Sequence, residues 1–215
     1  MSIITSVATL YNTVIDKLKS LDFLVLVALR LYLAPIFIIA GLNKLMHFED
    51  MVAWFGNPDW GLGLPVPAVM VSLTIIAELI GGVALLAGWF TRIFAFMLSI
   101  TMLVAAKTVH WQNGWFAITP TDPTTSIASL FAKLGFGSAH DSIQNSIETG
   151  ARLDKARELL QTHGNYDWLT ETGNFVVLNN GVEFAITYLI MLLVLVVYGA
   201  GKWLSLDFWF SPKHK

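Results

Sequence analysis

Four stretches of the chain are almost continuously apolar over the length of a membrane span. They cover roughly residues 22–46, 66–88, 90–112 and 182–203. A helix needs about twenty mostly apolar residues to cross the hydrocarbon core, so each stretch is long enough. The pattern predicts an all-α integral membrane protein, a four-helix bundle in which residues 1–215 form one transmembrane domain.

Two further helices are predicted outside the spans. Residues 1–20 place their lysines after the apolar positions, which is the wrong order for a secretory signal and typical of an amphipathic helix lying on the membrane face. Residues 113–181 form a long insertion between the third and fourth spans. Within it, residues 146–164 have charges and leucines at helical spacing and a glycine stop at Gly164, which predicts a short surface helix. That helix either covers the bundle or docks a partner.

The distribution of basic residues predicts the orientation of the chain. Cytoplasmic flanks of membrane spans carry an excess of lysine and arginine. With four spans, one side receives six basic residues, whereas acids outnumber bases in the 113–181 segment on the other side. Both termini are therefore expected in the cytoplasm, and the six residues are Lys17, Lys19, Arg92, Lys202, Lys213 and Lys215.

Composition narrows the function classes. The chain is 55% hydrophobic and only 13% charged, which suits a lipid bilayer and not an ordinary soluble domain. Its formal charge of −2 and its dispersed basic residues argue against nucleic-acid binding. Cysteine is absent, which excludes disulfides, thiolate zinc sites and iron–sulfur clusters formed by this chain. Redox chemistry would need a cofactor.

Arg30 lies inside the first apolar stretch and needs an acceptor. Measured from the surface where the first span begins and the second span ends, Arg30 and Glu78 lie at matching depth, about 12 and 15 Å in. Opposite charges at one level in a bilayer are expected to pair, so an Arg30–Glu78 structural ion pair is predicted. One face of the first span carries Arg30, Ala34, Phe37, Gly41 and Lys44, and a stripe of small residues expected to pack against that span consists of Ala77, Gly81, Ala84 and Gly88.

A second group of polar residues is predicted near the outer surface. Lys107 and His110 lie one turn apart on the third span, and Glu183 opens the fourth at a similar depth. Lys44 projects toward the same layer, and Tyr188 lies about a turn and a half below Glu183. Ionisable residues inside a membrane are candidates for function, so these five are the candidate catalytic residues.

Candidate cofactors follow from this outer group. A quinone needs an apolar slot, a hydrogen-bond donor and a proton carrier near one face, which His110, Glu183 and Tyr188 would supply. Copper is the weaker alternative, with thioether ligands from Met97 and Met102. A zinc or copper site made of His47, His110 and an acid is a further alternative. No tight ligand spacing supports a metal site, and none is assigned.

Several short motifs follow one another along the four spans. After Arg30 come Gly41-Leu42-Asn43-Lys44 and Glu78. The turn Gly88-Trp89-Phe90-Thr91-Arg92 follows, and Ala106 and His110 close the third span. The remaining motifs are Asn180-Gly181-Val182-Glu183, Gly199-Ala200-Gly201-Lys202 and Ser205-Leu206-Asp207. In this order they resemble the DoxX family of four-span membrane proteins, which is related to DoxD-type subunits of thiosulfate:quinone oxidoreductases.

The resemblance implies a bacterial inner-membrane protein linked to redox, oxidative or metal stress, and it leaves two hypotheses. In the first, the chain is an accessory or anchoring subunit whose outer helix docks another membrane or periplasmic protein. In the second, it is a quinone-reactive oxidoreductase subunit of the thiosulfate:quinone type. His110 and Glu183 would then relay protons, and Lys44 or Lys107 would stabilise an anionic quinone or sulfur species. Whether the chain is an enzyme stays open at this point.

Overall fold

The computed structural model describes residues 3–120 and 126–211, whose regular structure is helical apart from one isolated bridge between Ile118 and Leu178. The helix Thr91–Ala105 continues into a π-helical turn, Ala106–His110, and a 3₁₀ turn, Trp111–Asn113. In chain order the α-helices are α1 (Ile3–Lys19), α2 (Asp22–Met46), α3 (Phe48–Gly56), α4 (Pro67–Ala87), α5 (Thr91–Ala105), α6 (Ile127–Lys133), α7 (Gly137–His163), α8 (Tyr166–Leu169), α9 (Glu183–Tyr198) and α10 (Leu206–Phe210).

Three helical stretches are long and apolar enough to cross a membrane: Val7–Met46, Pro67–Ala87 and Thr91–Asn113. The first of them contains α2. Helix α9 is apolar as well, but it has only 16 residues. The all-helical class predicted from the sequence is thus confirmed, and three helical stretches of the described residues are candidate membrane spans by length and composition.

The chain divides into two compact units. The first holds the described residues up to Thr101 together with those from Tyr188 onward, and the second is Met102–Thr187. Three predicted features fall wholly or partly outside the described residues. These are the first two positions of the N-terminal helix, positions 121–125 of the long insertion, and Lys213 and Lys215, which were used to predict the orientation.

Helices α2 and α4 pack against each other in the core of the first unit. The face of α2 predicted to be buried is buried at Arg30, Ala34, Phe37 and Gly41, whereas Lys44 is half-buried. A Cβ built on Gly41 would lie 2.8 Å from Cγ of Leu79, and Gly82 makes a second close approach between the same two helices. Small residues permit such close packing between membrane helices.

Only part of the small-residue stripe predicted on α4 faces α2. A Cβ on Gly82 would lie 2.7 Å from Cγ1 of Ile38 on α2, so Gly82 is the glycine that admits α2. Gly81, which was expected to do this, lies against Leu98 of α5 instead. Because neighbouring residues on a helix point about 100° apart, one position decides which neighbour a glycine faces.

Helix α3 occupies a connection that was not expected to be helical. Phe55 of α3 forms a buried cluster with Val71 and Ile75 of α4. Its sequence, FEDMVAWFG, places acidic residues in the first turn and apolar residues afterwards, which is favourable for a short helix. Its tertiary partner on α4 stabilises it, because helices this short are marginal alone.

The second unit contains α6 and α7. Helix α7 ends at His163 before Gly164, as predicted, but it begins at Gly137 and so is much longer than the short helix expected. Its buried face is Ala139, Ser142, Ser146, Thr149 and Leu153. These are mostly small or hydroxyl side chains, so hydrophobic periodicity does not reveal the first half of the helix.

Candidate functional site

An ion pair between Lys44 and Glu78 joins α2 to α4. Nζ of Lys44 lies 2.9 Å from Oε1 and 2.8 Å from Oε2 of Glu78, so the ammonium binds both carboxylate oxygens. Glu78 is 3% exposed, while the side chain of Lys44 is 23% exposed. The pair therefore has a buried acid and a base with access to the surface of the unit.

Arg30 is 2% exposed and binds backbone carbonyls. Its Nε donates to the carbonyl of Leu85 at 2.7 Å, and its Nη2 donates to that of Leu86 at 3.0 Å. Its Nη1 donates to the carbonyls of Ala200 at 2.8 Å and Leu204 at 2.9 Å. A guanidinium has five N–H donors in a planar fork, and here they tie three segments of chain together.

The predicted ion pair between Arg30 and Glu78 is replaced by these two separate arrangements. Helices α2 and α4 are antiparallel, and Gly82 lies against Ile38, which places Arg30 level with the end of α4. Glu78 is about two turns away along α4, level with Gly41, where Lys44 reaches it. The predicted matching depth assumed that α2 begins level with the end of α4, whereas α2 begins about two turns before that level.

The carbonyls that Arg30 binds on α4 are available because the helix ends there. The last four carbonyls of a helix have no partner within it. Gly88 adopts a left-handed conformation with φ of 67°, and Trp89 N–H donates back to the Ala84 carbonyl at 2.9 Å. The Leu85 carbonyl also accepts from Gly88 N–H at 3.1 Å, and both it and the Leu86 carbonyl accept from the guanidinium at this glycine-terminated end.

Asp207 completes the same region from the far end of the chain. Its carboxylate accepts from Phe90 N–H at 2.7 Å and Thr91 N–H at 2.9 Å, which caps the start of α5. Its own N–H donates to the Gly88 carbonyl at 2.9 Å. Ser205 accepts from Phe208 N–H and caps α10. We call this group, Arg30, Gly88, Ser205 and Asp207, the arginine junction.

His110 belongs to the second unit, at the end of the π-helical turn. Its Nδ1 lies 2.8 Å from the carbonyl of Asn180, which also accepts from Nδ2 of Asn113 at 3.2 Å. Asn180 has a left-handed φ of 58°. This asparagine conformation directs the carbonyl at the imidazole, so the histidine ring is held in one orientation.

Glu183 and Lys107 have separate partners in the second unit. Glu183 accepts through Oε2 from Ala117 N–H at 2.9 Å, and its own N–H donates to the Trp115 carbonyl at 3.0 Å. Nζ of Lys107 lies 5.0 Å from the centroid of the Trp111 ring, within cation–π range. The contacts of the described residues thus do not join Lys107, His110 and Glu183 into one hydrogen-bonded group.

Lys44 and Tyr188, the other two candidates, belong to the first unit. Lys44 pairs with Glu78, which was not predicted because matching depth assigned Glu78 to Arg30. Tyr188 meets the ring of Phe37 edge-on, with centroids 6.4 Å apart. Across residues 3–120 and 126–211, no group of three histidine, aspartate or glutamate side chains could hold a metal ion.

Asparagine side chains also form a hydrogen-bond network in the second unit. Asn179 donates to the carbonyls of Asn113 and Phe116, and Asn145 of α7 donates to the same Asn113 carbonyl. Thr149 donates to Oδ1 of Asn179 at 3.3 Å. The sequence signal was the Asn-Asn-Gly run at 179–181, which is typical of a turn with a left-handed residue.

Residues 25–111 match the family model described as DoxX. The matched range includes Arg30, Lys44, Glu78, Gly88 and His110, whereas α6, α7, α9 and the segment with Ser205 and Asp207 follow it. No curated protein and no solved structure matches the chain.

Proposed function

We propose that this chain, whose residues 25–111 match the DoxX family model, is an accessory or anchoring subunit of a redox or metal-stress complex in a bacterial inner membrane. One observation carries the proposal. Among the described residues of the first unit two charged side chains are buried, and both have partners within the chain: Arg30 binds four carbonyls, and Glu78 binds Lys44. Buried charges satisfied in this way fix helix register, which is a scaffold's task.

The proposed architecture is a four-span bundle with α2, α4, α5 and α9 as the spans and both termini in the cytoplasm. Helix α9 is 16 residues long, about 24 Å, and a short span is accommodated by local thinning of the bilayer. A reporter enzyme fused after residue 140, within α7, is expected to be active only outside the cytoplasm. Activity on the cytoplasmic side would overturn this orientation.

The proposed docking element is α7 with its neighbour α6. Charged side chains on the exposed face of α7 include Glu148, Arg152, Lys155 and Glu158. Beside it, α6 and the turn after it expose apolar side chains, and exposed apolar groups rimmed by charge are typical of protein interaction sites. These apolar residues are Ile127, Leu130, Phe131, Leu134 and Phe136.

The experiment compares complexes purified from native membranes in mild detergent. The wild-type chain is expected to carry another subunit in fixed stoichiometry and no bound quinone. The double variant Arg152→Glu/Lys155→Glu is expected to lose that subunit. The control Lys17→Glu/Lys19→Glu, which reverses two exposed charges on α1, is expected to retain it. A monomeric chain with stoichiometric quinone would contradict the accessory role.

A quinone-reactive subunit is the second candidate, and His110 is the observation that favours it. The residue closes a π-helical turn, a distortion found frequently at functional sites. Since Asn180 engages Nδ1, Nε2 of the ring is the atom that would bind a quinone oxygen. A bound quinone would supply the two-electron chemistry, while His110 would hold or pass a proton. Quinone retained by wild type and lost in His110→Gln, but not in His47→Gln, would support this role.

A further inference from the structure

A cavity of about 580 Å³ lies in the first unit, where several helices end. Its walls come from the start of α2, the start of α5, the end of α9 and the segment leading to α10. The volume lies within the range typical of small-ligand sites. Charged residues at its wall are Asp22, Arg92, Lys202 and Asp207.

Among the described residues, three of these four charged side chains have no hydrogen-bond or ion-pair partner. The carboxylate of Asp207 is occupied by the two N–H groups at the start of α5. In the part of the chain that the structure describes, the side chains of Asp22, Arg92 and Lys202 make no hydrogen bond or ion pair. The cavity therefore offers two free cations and one free carboxylate.

The remaining wall is apolar and aromatic. Leu26 and Ile93 lie one turn or less from Asp22 and Arg92, and Phe90 and Tyr198 contribute rings. On both α2 and α5 the charged residue is followed by a continuous apolar run. A change from charge to hydrocarbon within one turn is what a helix shows where it enters the bilayer. The cavity thus has a polar end and an apolar end.

We propose that this cavity binds the headgroup of a zwitterionic phospholipid that carries a primary ammonium, as in phosphatidylethanolamine. Arg92 and Lys202 bind the phosphate, Asp22 binds the ammonium, and the acyl chains follow Leu26 and Ile93. A free anion would leave Asp22 unsatisfied and the apolar wall uncovered. An anionic lipid would satisfy the cations and leave the carboxylate alone. This site is independent of the proposed accessory function.

The test measures lipid binding to the delipidated full-length chain by native mass spectrometry in detergent. The probes are dioleoyl phosphatidylethanolamine, phosphatidylcholine and phosphatidylglycerol. The first is expected to bind about tenfold more tightly than the other two, because of the three headgroups only its ammonium is both cationic and able to donate hydrogen bonds to a carboxylate. Equal affinity for phosphatidylethanolamine and phosphatidylglycerol would overturn the proposal.

Two variants separate the roles of the charges. Asp22→Asn is expected to bring phosphatidylethanolamine down to the affinity of phosphatidylglycerol. Arg92→Gln/Lys202→Gln is expected to weaken binding of all three lipids about tenfold or more. The controls Asp16→Asn and Lys17→Gln/Lys19→Gln make the same charge changes on α1 and are expected to leave binding unchanged. If the double variant does not fold, Lys202→Gln alone is the test.

A free phosphate ion is the competing source of the same chemistry. Inorganic phosphate at millimolar concentration is expected not to displace bound phosphatidylethanolamine. Displacement would identify a soluble anion as the ligand and overturn the headgroup assignment. Lipid binding that is unchanged in both Asp22→Asn and the double cation variant would also overturn it.

Discussion

A Cβ placed on Gly88 would lie 2.6 Å from Nη2 of Arg30, so the turn that ends α4 has room for the guanidinium only because residue 88 has no side chain. The same position would bring the Cβ within 2.6 Å of Cβ of Ser205. Gly88 also adopts a left-handed φ of 67°. Conformation and space therefore both require glycine at the centre of the arginine junction.

Gly88→Ala is the first prediction. The substitution combines left-handed strain with overpacking against Arg30, and we expect a loss of about 2–5 kcal/mol in stability. The matched control is Gly135→Ala, which has a left-handed φ of 88° and no atom within 4 Å of the new Cβ. It should lose only the strain, about 1–2 kcal/mol. Thermal unfolding in detergent measures both, and equal losses would argue against the contact with Arg30.

The Lys44–Glu78 pair predicts unequal single variants. Lys44→Met leaves the 3% exposed carboxylate of Glu78 unpaired, a change that typically costs about 3–5 kcal/mol. Glu78→Gln leaves a lysine that can extend to the surface, so its loss should be smaller. The double variant Lys44→Met/Glu78→Gln should recover part of the loss of Lys44→Met. Unfolding temperatures check this order, and equal damage from both single variants would contradict it.

Arg30 and Glu78 should behave independently. They bind different partners about two turns apart, so the loss in the Arg30→Met/Glu78→Gln variant should equal the sum of the single losses within about 0.5 kcal/mol. A double-mutant cycle on unfolding temperature measures the coupling. Coupling well above that value would restore the direct pair. Arg30→Lys should not rescue Arg30→Met, because an ammonium lacks the planar fork that reaches four carbonyls.

Asp207→Ala should destabilise the start of α5. The variant removes the acceptor of two backbone N–H groups, Phe90 and Thr91, and we expect a loss of about 1–2 kcal/mol. The control is Asp16→Ala, which removes an exposed acid from a surface pair with Lys19 and should change stability by less than about 1 kcal/mol. Hydrogen exchange at Thr91 should increase in the first variant alone. Unchanged exchange there would show that Asp207 does not cap the helix.

Helix positions were predictable because long apolar runs can form little else in a membrane. The helices α2 and α4 begin and end within one or two residues of the predicted spans. The buried face of α2 followed from helical periodicity alone. The first half of α7 and the whole of α3 were missed, since a hydroxyl-rich buried face and a short helix stabilised by α4 leave weak local signals.

The partner of each charge was not predictable in the same way. Periodicity fixes which face a residue is on, but the offset between two helices depends on where glycines let them meet. Gly41 and Gly82 set that offset, which places Glu78 beside Lys44 and about two turns from Arg30. The carbonyl acceptors of Arg30 had no signature either, because every residue has a carbonyl and only the end of α4 frees those at 85 and 86.

Two of the four acceptors of Arg30 come from residues 170 and 174 positions later in the chain. During synthesis on the ribosome, this arginine enters the bilayer long before those carbonyls exist. A nascent chain that stops short of residue 204 therefore retains a guanidinium whose hydrogen bonds are incomplete. Such a product lacks half of the carbonyl acceptors of a buried guanidinium, so it is expected to be less stable in the bilayer than a chain that contains residues 200–204.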